Sequence, residues 1–294
     1  MIVAIASGKG GTGKTTLAVN LALSLRRSVQ LLDCDVEAPN VHLFLHPEVV
    51  GSKPAGILVP KIDGERCTLC GDCSALCQYN AIAMLSTRLL VFEELCHGCG
   101  GCARVCPEDA IREELRPIGV VEHGVAGAIE VVTGRLNVGE ALAPPLIRAV
   151  RARASSDRLV LIDAPPGTSC SMIAAVHGSD LVVLVTEPTP FGLNDLALAV
   201  EAVRTLDLPF GVVINRAGAG DRTVYDYCVA EGIDILAELP DDRRVAESYA
   251  RGRVLVKDLH HTKPLFEALA RRIEDRLIDD RRSAMAGRAA HAHN

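Results

Sequence analysis

The chain has 294 residues, 49% of them apolar, and a net charge of -6. That length and composition give one large or two modest domains with a real core, and they exclude wholesale disorder. No Lys/Arg block and no apolar stretch near the ~18 residues of a membrane span occur, so neither nucleic acid nor a membrane anchor is expected. With no basic leader ahead of the first apolar run, a cytoplasmic location is expected.

Residues 2–6 are a short apolar run of strand type. Next comes Gly8 to Thr16, Gly-Lys-Gly-Gly-Thr-Gly-Lys-Thr-Thr. It fits the phosphate-binding pattern G-x-x-x-x-G-K-[ST] at Gly8, Gly13, Lys14 and Thr15. Gly8, Gly10, Gly11 and Gly13 let backbone N–H groups turn inward on phosphate oxygens, with Thr12 and Thr16 completing the loop. The start of the following helix adds positive potential. Lys14 brings a point charge to the β- and γ-phosphates of ATP, and the Thr15 hydroxyl is placed to hold Mg²⁺.

Residues 14–26 carry Leu17, Ala18, Leu21, Ala22 and Leu25 at helical spacing. Residues 29–32 form a strand ending at Asp33-Cys34-Asp35, acids expected to face the phosphate loop. Residues 39–57 read as a short helix and a linker. Residues 120–132 read as a hairpin with Gly124 and Gly127 at its turn. A helix over 146–153 follows, then strands over 159–162, ending at Asp163, and over 181–185. A helix over 194–206 starts at Asn194. The strand over 212–214 ends at Asn215, and the last strand, 233–236, precedes Pro240-Asp241-Asp242. A final helix over 264–281 carries Leu265, Leu269, Ile273 and Leu277 on one stripe. The tail from Ser283, with His291 and His293, is expected to fray. Alternating strands and helices imply an α/β fold: a mostly parallel, doubly wound sheet with helices on both faces.

Between residues 57 and 115 this rhythm stops. Eight of the eleven cysteines stand here in two runs, Cys67-x₂-Cys70-x₂-Cys73-x₃-Cys77 and Cys96-x₂-Cys99-x₂-Cys102-x₃-Cys106-Pro107. Each run has the bacterial ferredoxin spacing. Three thiolates from a tight loop reach three corners of a cube, and the fourth comes from the other run. One [4Fe–4S] cluster would then sit on Cys67, Cys70, Cys73 and Cys106. The second would sit on Cys96, Cys99, Cys102 and Cys77. Gln78 stands where the pattern has proline, leaving the loop after Cys77 less constrained. Zinc also takes four thiolates, but usually from separated Cys-x₂-Cys pairs. His97 is read as a loop residue. Cys34 and Cys170, beside the acidic and Pro-Gly segments, are read as small buried hydrophobes. The expected domains are a discontinuous nucleotide domain, 1–56 and 117–294, and a small inserted ferredoxin-like domain, 57–116.

Lys9 with Gly10-Gly11-Thr12-Gly13-Lys14-Thr15 resembles the deviant Walker A motif of the MinD/ParA class of ATPases. That class includes the nitrogenase iron protein and Mrp-type cluster carriers, and the nearest resemblance is to members with an inserted ferredoxin. The resemblance implies that Lys9 reaches across a nucleotide-dependent homodimer to the partner's phosphates. It implies that Asp35 orients the attacking water, that Asp33 holds the loop or the Mg²⁺ shell, and that Asp163 is the Walker B acid. Gly167 would lie near the γ-phosphate. Asn215, followed by Arg216, would read adenine beneath a loop of Pro240, Asp241 and Asp242. The expected activity is ATP hydrolysis coupled to electron transfer to an unidentified redox partner or metalloprotein. The alternatives are a metallocluster carrier and a positioning ATPase with a redox sensor. The carrier reading is weakened because no Cys-x₂-Cys pair lies outside the insert.

Overall fold

The computed structural model describes residues 1–291, with side chains for 1–278. In chain order the elements are β1 (Ile2–Ala6), α1 (Lys14–Ser24), β2 (Val29–Asp33), α2 (His42–Leu45) and β3 (Glu48–Ile62). The cysteine segment holds α3 (Asp72–Leu76), β4 (Ile82–Met84), β5 (Leu89–Val91) and α4 (Gly101–Val105). There follow β6 (Ile111–Ala126), β7 (Ile129–Leu136), α5 (Ala143–Arg151), β8 (Leu159–Asp163), α6 (Cys170–Val176) and β9 (Leu181–Thr186). The rest are α7 (Pro190–Thr205), β10 (Phe210–Ala217), α8 (Thr223–Ala230), β11 (Ile235–Pro240), α9 (Arg243–Ala250), α10 (Leu255–Asp258) and α11 (Lys263–His291).

Nine strands form one sheet in the order β11-β10-β9-β1-β8-β2-β7-β6-β3. From β11 to β7 every neighbour is parallel; β6 and β3 are antiparallel additions at one edge. β2, β8 and β9 are buried along their whole length, which is why β8 and β9 read as Val/Leu/Ile runs up to their last residue; in β2 the buried Gln30 interrupts the run and is hydrogen-bonded to Glu130 and Arg153 O. Helices cover both faces. Leu146, Ile147, Met172, Leu196 and Val203 pack on one, and Leu17, Leu21, Phe266, Leu269 and Ile273 on the other. The doubly wound, mostly parallel architecture is as expected.

The linker expected over 39–57 is instead the first half of β3, a 15-residue strand. It pairs with β6 from Glu48↔Val125 to Ile62↔Ile111. One two-stranded ribbon therefore begins as the edge of the nucleotide sheet and ends inside the cysteine lobe. Its first residues are exposed and lack strand-like alternation, so pairing rather than hydrophobic pattern makes them a strand. The expected domain boundaries face one another across the ribbon at Gly56↔Pro117, next to a register shift between Ala55 and Gly56. Such a bulge bends and twists a ribbon locally.

Other expectations need adjusting. Gly124 is inside β6, and only Gly127, at φ +63°, makes the hairpin turn. Helix α7 starts not at Asn194 but at Pro190, capped by Thr189, whose Oγ1 accepts from Gly192 N at 3.0 Å. Leu265 lies off the buried stripe of α11, which runs through Phe266, Leu269, Ala270, Ile273 and Leu277. Residues 283–291 continue that helix, and His293 lies outside the described residues. The final helix, α11, is not an apolar span: none of the described helices is long and apolar enough to cross a membrane.

Candidate functional site

The parallel strands deliver their C-terminal ends to one side of the sheet, and the phosphate loop leaves β1 there. Gly13 caps α1 at φ +94°, and a Cβ on it would lie 2.5 Å from Asn215 Nδ2. Both facts require glycine. Asn215 Nδ2 donates to Thr12 O at 2.8 Å, and its Oδ1 accepts from Arg216 N at 3.0 Å. Asn215 thus braces the loop while lining the cavity next to it.

That cavity has a volume of about 360 Å³. Gly10, Gly11, Gly13, Lys14, Thr15, Thr16 and Asp35 line it together with Asn215, Arg216, Pro240, Asp241 and Asp242. Gly8, Lys9, Thr12, Asp163 and Gly167 do not line it; they stand behind or beside the loop. The sequence reading missed Asn40, Tyr249, Leu255, His261, Leu265 and Phe266, which also line the cavity. They come from α9, α10 and α11 and from loops with no motif. Their only signal was apolar residues at the start of a C-terminal helix, which reads equally well as packing.

Beneath Lys14 lie three carboxylates. Thr15 Oγ1 donates to Asp163 Oδ2 at 2.5 Å, and Lys14 Nζ donates to Ser7 Oγ at 3.0 Å. Asp163 is fully buried, and its Oδ1 has no partner. Burial pushes the Asp163 carboxyl up to about 7, against the pull of the Thr15 hydroxyl and Lys14. Burial also raises Asp35, with Lys14 opposing, and lowers Lys14, with Asp163 and Asp35 opposing. Burial and Asp163 raise Asp33 well above the usual carboxylate range. Of the two roles expected for Asp33, loop-holding is visible. Oδ2 accepts from Asn40 N and Val41 N, both at 3.1 Å, and Oδ1 from Asp35 N at 3.3 Å. One ammonium cannot balance three acids. The orphaned Asp163 oxygen beside a hydroxyl fits a hard divalent cation such as Mg²⁺, held by Thr15 and reached by Asp163.

In the lobe, the two runs trace the same path. The backbone is left-handed at Leu69, Gly71 and Asn80, and again at Gly98, Gly100 and Asp109, the same offsets from the first and fourth cysteines. Ala81 N donates to Cys77 Sγ and Ala110 N to Cys106 Sγ, each at 3.3 Å. Gln78 therefore leaves the loop after Cys77 in the same form that Pro107 gives its counterpart. Across the first run Tyr79 stacks on His97, ring centres 3.7 Å apart. One cavity is lined by Cys67, Cys70, Cys73 and Cys106, another by Cys77, Cys96, Cys99 and Cys102. These are the two crossed quartets. Among the described residues no three Cys, His, Asp or Glu converge closely enough to hold a single metal ion. Thiolates spread around a cavity and met by backbone N–H groups suit a cubane. Cys34 and Cys228 are buried, but Cys170, expected to be buried, is exposed at the start of α6.

The lobe is tied to the sheet at its root. Arg116 and Glu140 form a largely buried two-pronged pair, at 2.5 and 3.4 Å. A Cβ on Gly98 would lie 3.1 Å from that of Ile57 in β3, so the loop of the second run rests on the ribbon.

A parallel sheet, a phosphate loop on its first strand and a buried acid under the loop threonine define a nucleotide-binding α/β protein. Residues 3–256 match the CobQ/CobB/MinD/ParA nucleotide binding domain, and the chain belongs to that family. It is 30% identical over 269 residues to an uncharacterized protein of Methanocaldococcus jannaschii, covering 87% of this chain and 92% of that one. It is 25% identical over 300 residues to an iron-sulfur cluster carrier protein of Pyrococcus horikoshii, covering 94% and 86%. Its fold matches the cell division ATPase MinD of Pyrococcus furiosus with a TM-score of 0.58 at 23% identity, covering 93% and 98%.

Proposed function

We propose that the chain hydrolyses Mg-ATP as a nucleotide-dependent homodimer, and that nucleotide state gates electron delivery from two [4Fe–4S] clusters to a redox partner. The observation that carries this reading is the β3/β6 ribbon, whose strands belong at once to the nucleotide sheet and to the cysteine lobe. Backbone hydrogen bonds run unbroken past the expected domain boundary, apart from the bulge, so a shift at the sheet is passed to the lobe as a rigid displacement.

The cavity takes the nucleotide with its phosphates at Gly10 to Thr16 and its base between Asn215 and the Pro240–Asp242 loop. Lys14 and the loop N–H groups neutralise the phosphates, and Asp35 orients the attacking water. Lys9 of a second copy would supply the charge that Lys14 alone does not. Mg²⁺, held by Thr15 with Asp163 behind it, supplies charge neutralisation between the phosphates. Cys67, Cys70, Cys73 and Cys106 would hold one cluster and Cys77, Cys96, Cys99 and Cys102 the other, and when bound these would provide one-electron transfer.

The test is electron transfer from anaerobically reduced protein to a competent acceptor protein with ATP analogue, ADP and no nucleotide. Gating predicts different rates; equal rates in all three remove it. Similarity to iron-sulfur cluster carriers favours one alternative, delivery of a cluster to an apo-protein. Loss of iron and sulfide from the donor, matched by gain in an acceptor, would establish that reading instead.

A further inference from the structure

Glu187 lies just past the end of β9, is 7% exposed, and belongs to none of the motifs above. Its Oε2 is 3.2 Å from Lys9 Nζ, and its Oε1 is 3.2 Å from Arg216 Nη1. A largely buried carboxylate thus holds two cations. One comes from the phosphate loop; the other follows the asparagine that braces that loop from the base side.

We propose that Glu187 is a positioning residue that parks Lys9 on its own subunit and releases it when a second copy of the chain docks. This rests on the dimer reading above. The geometry suits reversible release. Lys9 O accepts from Ser7 Oγ at 2.6 Å, so the backbone is held and only the side chain need swing. The Lys9 side chain is about one-third exposed, on the outer side of the pair. When it leaves, Arg216 remains on the other oxygen, so no buried charge is stranded. Stranding one is what makes breaking a buried pair expensive. What is lost is one partly screened ion pair, a small cost that a partner's phosphates can offset.

The platform under Glu187 is rigid. A Cβ on Gly192 would fall 2.1 Å from Glu187 O, and one on Gly8 would fall 2.0 Å from Asp195 O. The first two turns of α7 are therefore packed tightly against Glu187 at Gly192 and against the phosphate loop at Asp195. Arg216 lines the nucleotide cavity, so its occupancy bears on which cation the carboxylate keeps. Phe191, in the first of these turns, is 80% exposed, an apolar ring on the face that a second copy would cover.

The test is the dimer dissociation constant by sedimentation, on the full-length cluster-loaded protein, with non-hydrolysable ATP analogue and with ADP. Glu187→Gln keeps the shape and drops the charge. The analogue-bound dimer is expected to tighten about fivefold, the summed worth of two partly screened pairs, one in each subunit. The ADP state stays monomeric, a nucleotide dependence that a merely structural residue would not produce. Adding Lys9→Ala abolishes the gain. Glu187→Asp, one methylene shorter and unable to span both cations, gives an intermediate shift and serves if the glutamine variant does not fold. Unchanged or weaker dimers in folded variants overturn the latch and leave the dimer reading standing. A wild-type protein that stays monomeric with the analogue overturns both.

Discussion

Around the phosphate loop, the strands β1, β2 and β8 that deliver the loop and its acids are walled in by apolar side chains from both faces of the sheet. In the cysteine lobe the buried apolar cluster is three residues, Cys73, Ile82 and Ile111, around a two-stranded sheet of three-residue strands. Burial scales with size, and a piece of about fifty residues with so little core does not stand alone. The nucleotide end is thus preorganised by packing and waits for a ligand. The lobe is organised by the ribbon below it and, on the reading proposed above, by clusters on its thiolates. The difference explains how one chain carries both sites: the stable sheet lends two of its strands to a segment that supplies ligands rather than core.

Removing the clusters breaks the comparison most severely. Chelation and oxidation are expected to raise amide hydrogen exchange across 63–110 to nearly unfolded rates while β1, β8 and β9 stay protected. A lobe that stays protected without iron and sulfide would show that its own packing suffices.

Next in size is Lys14→Ala. Removing the one cation above three acids should lower nucleotide affinity and turnover by about a hundredfold or more, measured by calorimetry and phosphate release. The fold should persist, because Leu17, Leu21 and the sheet do not depend on that charge. Loss of folded structure would mean that the ligand site, and not only the lobe, is held by its charges.

Arg116→Ala probes the root of the lobe. It leaves Glu140 buried without its partner, at a cost of about 3 kcal/mol by chemical denaturation. The comparison is sharpened if exchange rises in the lobe side of the ribbon, and blunted if the loss is spread evenly over the sheet.

The smallest effect is protonic. The raised Asp163 carboxyl keeps its proton up to about pH 7 in the folded chain, against the ordinary value of 3.8. Between those values the folded chain holds more protons than the unfolded one, so without ligand its stability falls as pH rises through the window. Mg-nucleotide needs the carboxylate ionised. Binding at pH 6 should release about one proton, and at pH 8.5 almost none, read by calorimetry in buffers of different ionisation enthalpy. No release at pH 6 would mean that Asp163 is already ionised and the acid cluster less crowded than its burial implies.

Much of this was legible from residues. The loop from Gly8 to Thr16 follows from spacing, because phosphate binding constrains neighbours in the chain; the acids closing β2 and β8 follow from their place at strand ends; and the two cavities are lined by the cysteines that the spacing of the runs grouped together. The start of α7 was also legible and was misread: Thr189-Pro190 is a cap followed by a first-turn proline, a stronger signal than Asn194. The first half of β3 was not legible. Its exposed residues carry no alternation, and only the hydrogen-bonding edge of β6 makes them a strand. The rest of the nucleotide cavity's lining was equally hidden, since Tyr249, His261 and Leu265 come to it from the opposite end of the chain.

By itself the sequence determined which chemistries are present: phosphate binding at one strand end, and two sets of four thiolates. The phosphate loop and three thiolates of each set lie within a few positions of one another, so local spacing sets their geometry; the fourth thiolate comes from the other, equally spaced run. Only the tertiary structure decided that the two are joined by one continuous ribbon, and that Lys9 rests on Glu187. Strand pairing and a buried ion pair between distant segments depend on how far-apart parts of the chain pack, and no local pattern encodes that.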